Sequence, residues 1–482
     1  MIDFSRQGDL VSMTFVLSLL PIAVLVAALV VVKAPAWKAA LAALVVGAAE
    51  ALFWRGMSAG EFAGCAAQGV STGLFPIGLV IFAALFTYAI TETSGAIADI
   101  KGGLCSLSSD SRFLALLVAW GFGNFMEGMA GFGTAVAIPC AILVGVGFDP
   151  ARAVLCCLVA NSTPTAFGSV GVPTSVLASE TGLDIGVLTS SIVLLQLAVT
   201  ALLPFFVLVA ADGWRALREC WKLALGASIA FVVPWCLAAR FTGCELPDIV
   251  GGITVMTLFA FLGKRGETNV RRQLWAWMPF AFVVVALGAV SMMPPEWKPS
   301  PGIVVLSAGA LGGLCQGVGP LRLLGVAAKT AKRYTLAVLT ICTVLSLAKT
   351  MVAAGLTQNL AEGLVAATGG GYAAVSGIVG ALGGFVTGSG TSTNVLFGAL
   401  QASIGSSDAE RLLFAAANVM GAGIGKMVCP QSIVLGCAAA GLAGRESEVM
   451  KRAFPFFVAV LSLACAVAFS FKFFDIIGRT LQ

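Results

Sequence analysis

From Val11 to Val32 the chain runs for about 22 residues without a charge, and stretches of this kind recur along its length. A helix crossing a bilayer needs roughly 17–25 mainly apolar residues. Such runs fall near 11–32, 39–54, 71–93, 153–178, 187–211, 222–240, 248–263, 274–293, 302–320, 335–354, 412–440 and 453–473, so twelve crossings are expected. Composition agrees: of 482 residues, 59% are hydrophobic and 11% charged, and mean hydropathy is +0.99, whereas a soluble globular protein carries about a quarter charged residues. The pattern predicts an all-α polytopic membrane protein, because lipid offers no partner to backbone N–H and C=O groups and a helix satisfies its own. The residues before the first run carry Asp3 and Asp9 against Arg6, which lacks the basic start of a signal peptide and predicts a spanning helix instead.

Two segments break the rule. Residues 112–147 and 372–404 are apolar at both ends but interrupted by glycine and small polar residues at the centre. A helix that stops in mid-membrane leaves backbone groups that only protein or a watery cavity can satisfy. Both are expected to be re-entrant hairpins. The loop charges fit this scheme: Lys33/Lys38, Arg215/Arg218/Lys222, Lys264/Arg265/Arg271/Arg272, Arg322/Lys329/Lys332/Arg333 and Arg445/Lys451/Arg452 fall on one side. By the positive-inside rule that side is cytoplasmic, which leaves both termini outside. The other side carries Glu180/Asp184, Glu245/Asp248, Glu362 and Asp408/Glu410.

A weak internal repeat joins the interrupted segments. A shift of 260 places Gly95 on Gly355, Gly123 on Gly383, Phe125 on Phe385 and Gly128 on Gly388. A shift of 257 lays ANSTPTAFGSVGVP (160–173) over ANVMGAGIGKMVCP (417–430). The helices leading into the two copies are seven crossings apart, an odd number, so the copies are expected to be inverted. Inverted repeats with paired broken segments mark secondary transporters, whose site forms near the midplane where half-helix ends meet. The expected divisions are N-terminal helices 1–70; a first core repeat 71–211 with hairpin 112–147 and broken helix 153–178; linking or scaffold helices 212–334; and a second core repeat 335–482 with hairpin 372–404 and broken helix 412–440.

Glu127, within GNFMEGMAGFGT (123–134), and Lys426 are ionisable groups inside these broken segments. A charge at that depth costs at least about 2.5–3.5 kcal/mol, so such groups point to function. Lys426 would hold an anionic substrate, and Glu127 would carry the coupling proton. Around them stand Asn124, Asn161, Ser162, Thr163 and Thr165 in copy one, and Thr387, Ser389, Thr391, Ser392, Thr393, Asn394, Asn418 and Gln431 in copy two. Hydroxyls and amides beside helix N-terminal N–H groups suit an anion, although singly they also serve as interhelical hydrogen bonds. Gly128, Gly131, Gly133, Gly388 and Gly390 are the hairpin glycines, of which some would serve close packing. Glu50 and Lys349 lie near helix ends, where they are expected to reach the interface.

The net charge of +5 sits in short loops rather than on one face, which excludes nucleic acid as a partner. The 13 cysteines fall mostly in apolar stretches and read as free thiols. With no His and no CxxC pair, neither a metal site nor a cofactor is expected. Gly425-Lys426 is followed by Met427 and lacks the glycine spacing of a phosphate-binding loop. No nucleophile with an adjacent base is present, so an enzyme is not expected.

GFGNFMEGMAGFGTAVAIP, ANSTPTAFGSVGVPT, TGSGTSTNVLFGALQ and GIGKMVCPQSIVLGCAAAGL occur in that order, and on them the chain resembles the bacterial L-lactate permease family. The resemblance covers both copies and most of the chain. It implies uptake of lactate, and in many members glycolate, by proton symport across the bacterial inner membrane. It also implies an elevator-type transporter with two re-entrant hairpins. Glu127 and Lys426 stand at family positions, whereas residue 390 is Gly where the family is expected to show Asp. The chain is thus a divergent member.

The expected activity is secondary uptake of a small 2-hydroxy monocarboxylate by a multi-pass inner-membrane carrier, with a homodimer through the scaffold compatible with the sequence. Two alternatives keep the same architecture or chemistry: a sodium-coupled organic anion symporter, and a passive anion channel.

Overall fold

The computed structural model describes residues 4–32, 34–131, 133–263, 269–473 and 476–477. Lys33, Lys264, Arg265, Phe132 and Asp3, which entered the sequence argument, lie outside these residues. Among the described residues every regular element is helical. Seven helices are long and apolar enough to cross a membrane, and nine if each of two bent pairs counts as one span. Four shorter apolar helices accompany them. Twelve full crossings are therefore not reached by length and composition, and several of the expected spans appear as shorter or merged helices.

The chain opens with α1 (Phe4–Val30), α2 (Ala36–Ala49), α3 (Ala59–Thr72), α4 (Leu79–Thr93) and α5 (Ala96–Cys105). Ser58 and Glu61 form a reciprocal cap that starts α3, which satisfies two N-terminal N–H groups at once. Helical geometry continues from α3 to α4 through a wider turn in which Phe75 leaves helical angles. The run expected at 71–93 is thus the second part of a longer helix, Ala59–Thr93.

The first interrupted segment comprises α6 (Ser111–Leu114), a π-helical stretch Ala115–Phe122, α7 (Gly123–Met129) and α8 (Thr134–Gly145). The break falls where Gly131 and Gly133 take φ of +58° and +84°, angles that favour glycine. Next, α9 (Pro150–Ala160) and α10 (Gly168–Thr181) enclose an angle of 63° around the short turn Pro164–Phe167. Asp149 accepts the Arg152 N–H and Pro150 opens α9, a common start for a helix. Residues Ser169, Val170 and Gly171 take left-handed angles inside α10. For a β-branched valine that costs on the order of 1–3 kcal/mol, which surrounding contacts must hold in place.

The segment 212–334 holds the second half of α11 (Ile185–Thr242), then α12 (Pro247–Leu262), α13 (Val270–Ser291) and α14 (Pro301–Cys315). The backbone of α11 leaves helical angles at Asp212, Gly213 and Cys220, so the expected spans 187–211 and 222–240 occupy its two halves. Then come α15 (Pro320–Ala353), α16 (Leu356–Thr368), α17 (Tyr372–Thr387), α18 (Gly390–Ile404), α19 (Asp408–Lys426), α20 (Pro430–Ala439) and α21 (Glu446–Phe473). The α17–α18 break lies at Gly388, with φ of +63°, and α19 and α20 meet at 42°.

Packing sorts the helices. The interrupted segments, the two bent pairs and α21 pack on one another, chiefly through α17 on α19, α18 on α19, α10 on α18 and α20 on α8. A second group joins α15 to α2 and α3, α14 to α4 and α13, and α1 to α2 and α16. The stretch 222–320 is divided between them, because α12 packs on α7 while α13 and α14 pack on α5 and α4. Gly95 and Gly355, superposed by the 260-residue shift, precede α5 and α16 in the same left-handed conformation. Register is lost further along: Asn161 ends α9, whereas its counterpart Asn418 lies within α19.

Two expected loop acids are buried instead. Asp248 is fully buried and accepts the Trp235 Nε1–H at 2.9 Å. Glu180, its side chain 3% exposed, pairs with Lys349 at 2.9 Å, which corrects the expectation that Lys349 simply reaches the interface. Glu50 is buried as well, and neither carboxylate oxygen has a hydrogen-bond partner. Long-range packing drew these acids inward, which local hydropathy does not report.

Candidate functional site

Glu127 lies in α7, one turn before the first break, and Lys426 is the last residue of α19 at the bend into α20. Folding brings them together: Lys426 Nζ lies 2.9 Å from Glu127 Oε1. Asn161, which ends α9, donates from Nδ2 to Glu127 Oε2 at 3.0 Å. Both carboxylate oxygens are therefore engaged, and both charged side chains are nearly inaccessible, at 4% and 9%. Placing a lysine at a helix C-terminus adds the favourable end of the helix dipole.

The approach depends on glycine. A side chain at Gly168 would meet Glu127 Oε1 at 2.8 Å, and one at Gly390 would meet Thr165 Cγ2 at 2.5 Å. Thr165 therefore leaves no room for a side chain at Gly390. The left-handed turn at Ser169 is tied to the first break, since its hydroxyl donates to Ala130 O at 2.8 Å.

A cavity of about 290 Å³ opens beside the pair, a size suited to a small ligand. Glu127, Asn161, Gly133, Gly388, Ser389, Gly390, Thr391, Ser392, Lys426 and Gln431 line it, as do Thr165 and Thr387. The other sequence candidates stand behind the wall. Ser162 donates to Val159 O at 2.7 Å, Thr393 to Ser389 O at 2.8 Å, and Thr163 is buried with its hydroxyl unpartnered. Asn418 donates to Asn394 Oδ1 at 2.9 Å, and Asn394 donates to Pro173 O at 2.8 Å. This chain fastens the second hairpin to both bent helices. Asn124 is buried without a side-chain partner. Gly128 sits inside α7 against Ile249 and Asp248 rather than at the break, and Gly131 packs on Ser169.

Three helix N-termini contribute to the cavity. Gly133 precedes α8, Ser389 to Ser392 open α18, and Gln431 and Ser432 open α20. Each first turn leaves N–H groups without an intrahelical partner, and together they make the cavity attractive to an anion. The far wall was not anticipated: Trp37 of α2 and Leu336, Thr340 and Ile341 of α15 face the broken segments across the space. Ordinary apolar helices supply them, so no local pattern singles them out.

A family model described as L-lactate permease matches residues 14–295 and 280–474. The L-lactate permease of Streptococcus iniae is 37% identical over 373 residues, covering 69% of this chain and 78% of that protein. The L-lactate permease of Escherichia coli (strain K12) is 32% identical over 504 residues, with 90% and 91% covered. The glycolate permease of the same strain is 31% identical over 515 residues, with 90% and 91% covered. These proteins are permeases and not enzymes, and their likeness together with the apolar helices makes this chain a multi-pass membrane protein. With both interrupted segments, both bent helices and the Glu127–Lys426 pair inside the matched stretches, the chain belongs to the L-lactate permease family.

Proposed function

We propose that the protein takes up a small 2-hydroxy monocarboxylate, lactate or glycolate, together with a proton across the bacterial inner membrane. The observation that carries this reading is the buried Glu127–Lys426 pair beside a cavity receiving three helix N-termini. A substrate carboxylate entering the cavity would compete with Glu127 for Lys426. Glu127, displaced, would be an uncompensated buried charge unless it bound a proton. Anion and proton would therefore enter together, and the loaded site would carry no more charge than the empty one. The hydroxyls of Ser389, Thr391 and Ser392, which line the cavity, would meet the 2-hydroxyl group and the second carboxylate oxygen.

The two interrupted segments and two bent helices, in repeated order, support an inverted repeat whose copies supply one half of the site each. Alternating access would follow from the hairpin-bearing group sliding against the group of α1 to α5 and α13 to α16. The cavity lies between them, with Trp37 and Thr340 on one side and Lys426 on the other. The expected core divisions 71–211 and 335–482 would then need α4, α5, α15 and α16 assigned to the static side, along with helices 1–70.

The test is uptake of radiolabelled L-lactate into proteoliposomes for wild type and Glu127→Gln, with an imposed pH gradient and a sodium gradient as control. Uphill uptake on the pH gradient alone, lost in Glu127→Gln while lactate exchange survives, is the expected result. Accumulation on the sodium gradient at fixed pH would replace the coupling ion. Conductance without accumulation would make the protein a channel.

A further inference from the structure

A second cavity, of about 350 Å³, lies away from the Glu127–Lys426 site, between the last turns of α4 and the first turns of α15. Arg322, Lys329 and Arg333 line it from α15, together with Tyr334; Tyr88 and the single acid Glu92 line it from α4. The three cations are spaced by seven and four residues, which puts them on one face of the helix. Among the described residues none of the three forms an ion pair, and Arg333 rests 5.7 Å from the centre of the Tyr334 ring. A cleft with three cations against one acid, flanked by two phenols, calls for a polyoxygen anion.

Depth decides which anion. Helix α15 has 34 residues, so it is about 51 Å long, well beyond a hydrocarbon core of about 30 Å. The stretch 335–354 is mainly apolar and 320–334 carries the cations, a division that would set the cation-bearing turns at headgroup level. On the same turns Leu321 and Leu324 are 85% and 68% exposed, a surface that suits acyl chains rather than water. Tyrosines are common at this level for the same reason.

We propose that this cleft binds the phosphate headgroup of an anionic phospholipid, with Arg322, Lys329 and Arg333 as its ligands and the leucines of α15 under its acyl chains. The phosphate chemistry is shared with free inorganic phosphate, and the apolar flank favours the lipid. Basic clefts between spanning helices take anionic headgroups in this manner.

The experiment is native mass spectrometry of the purified full-length protein after delipidation, with phosphatidylglycerol, phosphatidylcholine or inorganic phosphate added back. Wild type should retain phosphatidylglycerol and not phosphatidylcholine. The triple variant R322Q/K329Q/R333Q should hold it more than about tenfold more weakly, while R215Q/R218Q, which removes exposed cations elsewhere, should match wild type. Glu92→Gln, which removes the opposing charge, should strengthen retention, and single R333Q should weaken it in part should the triple variant fail to fold. Undiminished retention in R333Q and the triple variant would overturn the assignment. So would equal retention of phosphatidylcholine, or displacement of phosphatidylglycerol by millimolar inorganic phosphate, which would make this a site for a soluble anion.

Discussion

At the scale of single residues, the Glu127–Lys426 pair sets stability as well as chemistry. Removing one partner of a buried pair leaves the other uncompensated, at a cost of about 3–5 kcal/mol, whereas removing both is often nearly neutral. Lys426→Met should therefore lower thermal stability in detergent sharply, and E127Q/K426M should recover most of it. Equal stability of the single and double variants would show that the two charges are not coupled. Gly390 makes a second prediction. Gly390→Ala should destabilise by about 1–3 kcal/mol through overpacking, because the new Cβ meets Thr165 Cγ2. Thr165→Ser deletes that methyl group and should restore stability to the Gly390→Ala protein. Glu127, Lys426 and Asn161 were legible from the sequence because charges and amides inside broken apolar segments stand out against hydrocarbon. Ser162, Thr163 and Asn394 carried the same signal and yet do not line the cavity: the bend after α9 sets the direction of the first two, and Asn394, inside α18, is taken up by Pro173 and Asn418.

At the scale of elements, capping ties helix ends to pH. Asp110, outside the spanning segments, accepts the Arg112 N–H at the start of α6. Hydrogen bonds from the Arg112 side chain hold its carboxyl below the usual carboxylate range, and Arg112 also pairs with Glu219 of α11. The folded value lies below the unfolded one, so the stabilisation is present above the ordinary carboxylate value and is lost as pH falls through the folded value. Thermal unfolding followed between about pH 3 and 6 should show wild type losing stability on acidification. Asp110→Asn should lack that component, and an unchanged slope would count against the assignment. The breaks themselves were readable, because clustered glycine and small polar residues interrupt an apolar run. Their exact places were less so: Gly128, which the repeat aligns with the break residue Gly388, lies inside α7, as hairpin packing shifted the first turn to Gly131–Gly133.

At the scale of the whole molecule, the Lys349–Glu180 contact is the ion pair that, among the described residues, joins the hairpin-bearing helices to the other group. It runs from α15 to α10. Any sliding of one group past the other must break it or carry it along. Lys349→Met should destabilise the protein by leaving the buried Glu180 side chain unpaired, though by less than loss of a partner at the Glu127–Lys426 pair because Lys349 is 27% exposed, with K349M/E180Q recovering most of that. The recovered double variant is expected to change the rate of lactate exchange in proteoliposomes relative to wild type. Wild-type exchange in that double variant would confine the pair to a structural role.

Read along the chain, apolar runs and their interruptions are enough to put this protein in a membrane, to make its elements helices and to break two pairs of them. These properties are local: apolar run length, glycine and proline position, and the cost of bare charge in lipid act within a few turns. Long-range packing chose which broken ends meet, brought Glu127 to Lys426 across 299 positions, drew the Asp248 and Glu180 side chains inward, and set Trp37 and Thr340 along the cavity wall. Those outcomes depend on contacts between residues hundreds of positions apart, each satisfying a polar group or filling a space that no neighbour in sequence could, and hydropathy along the chain carries no record of them.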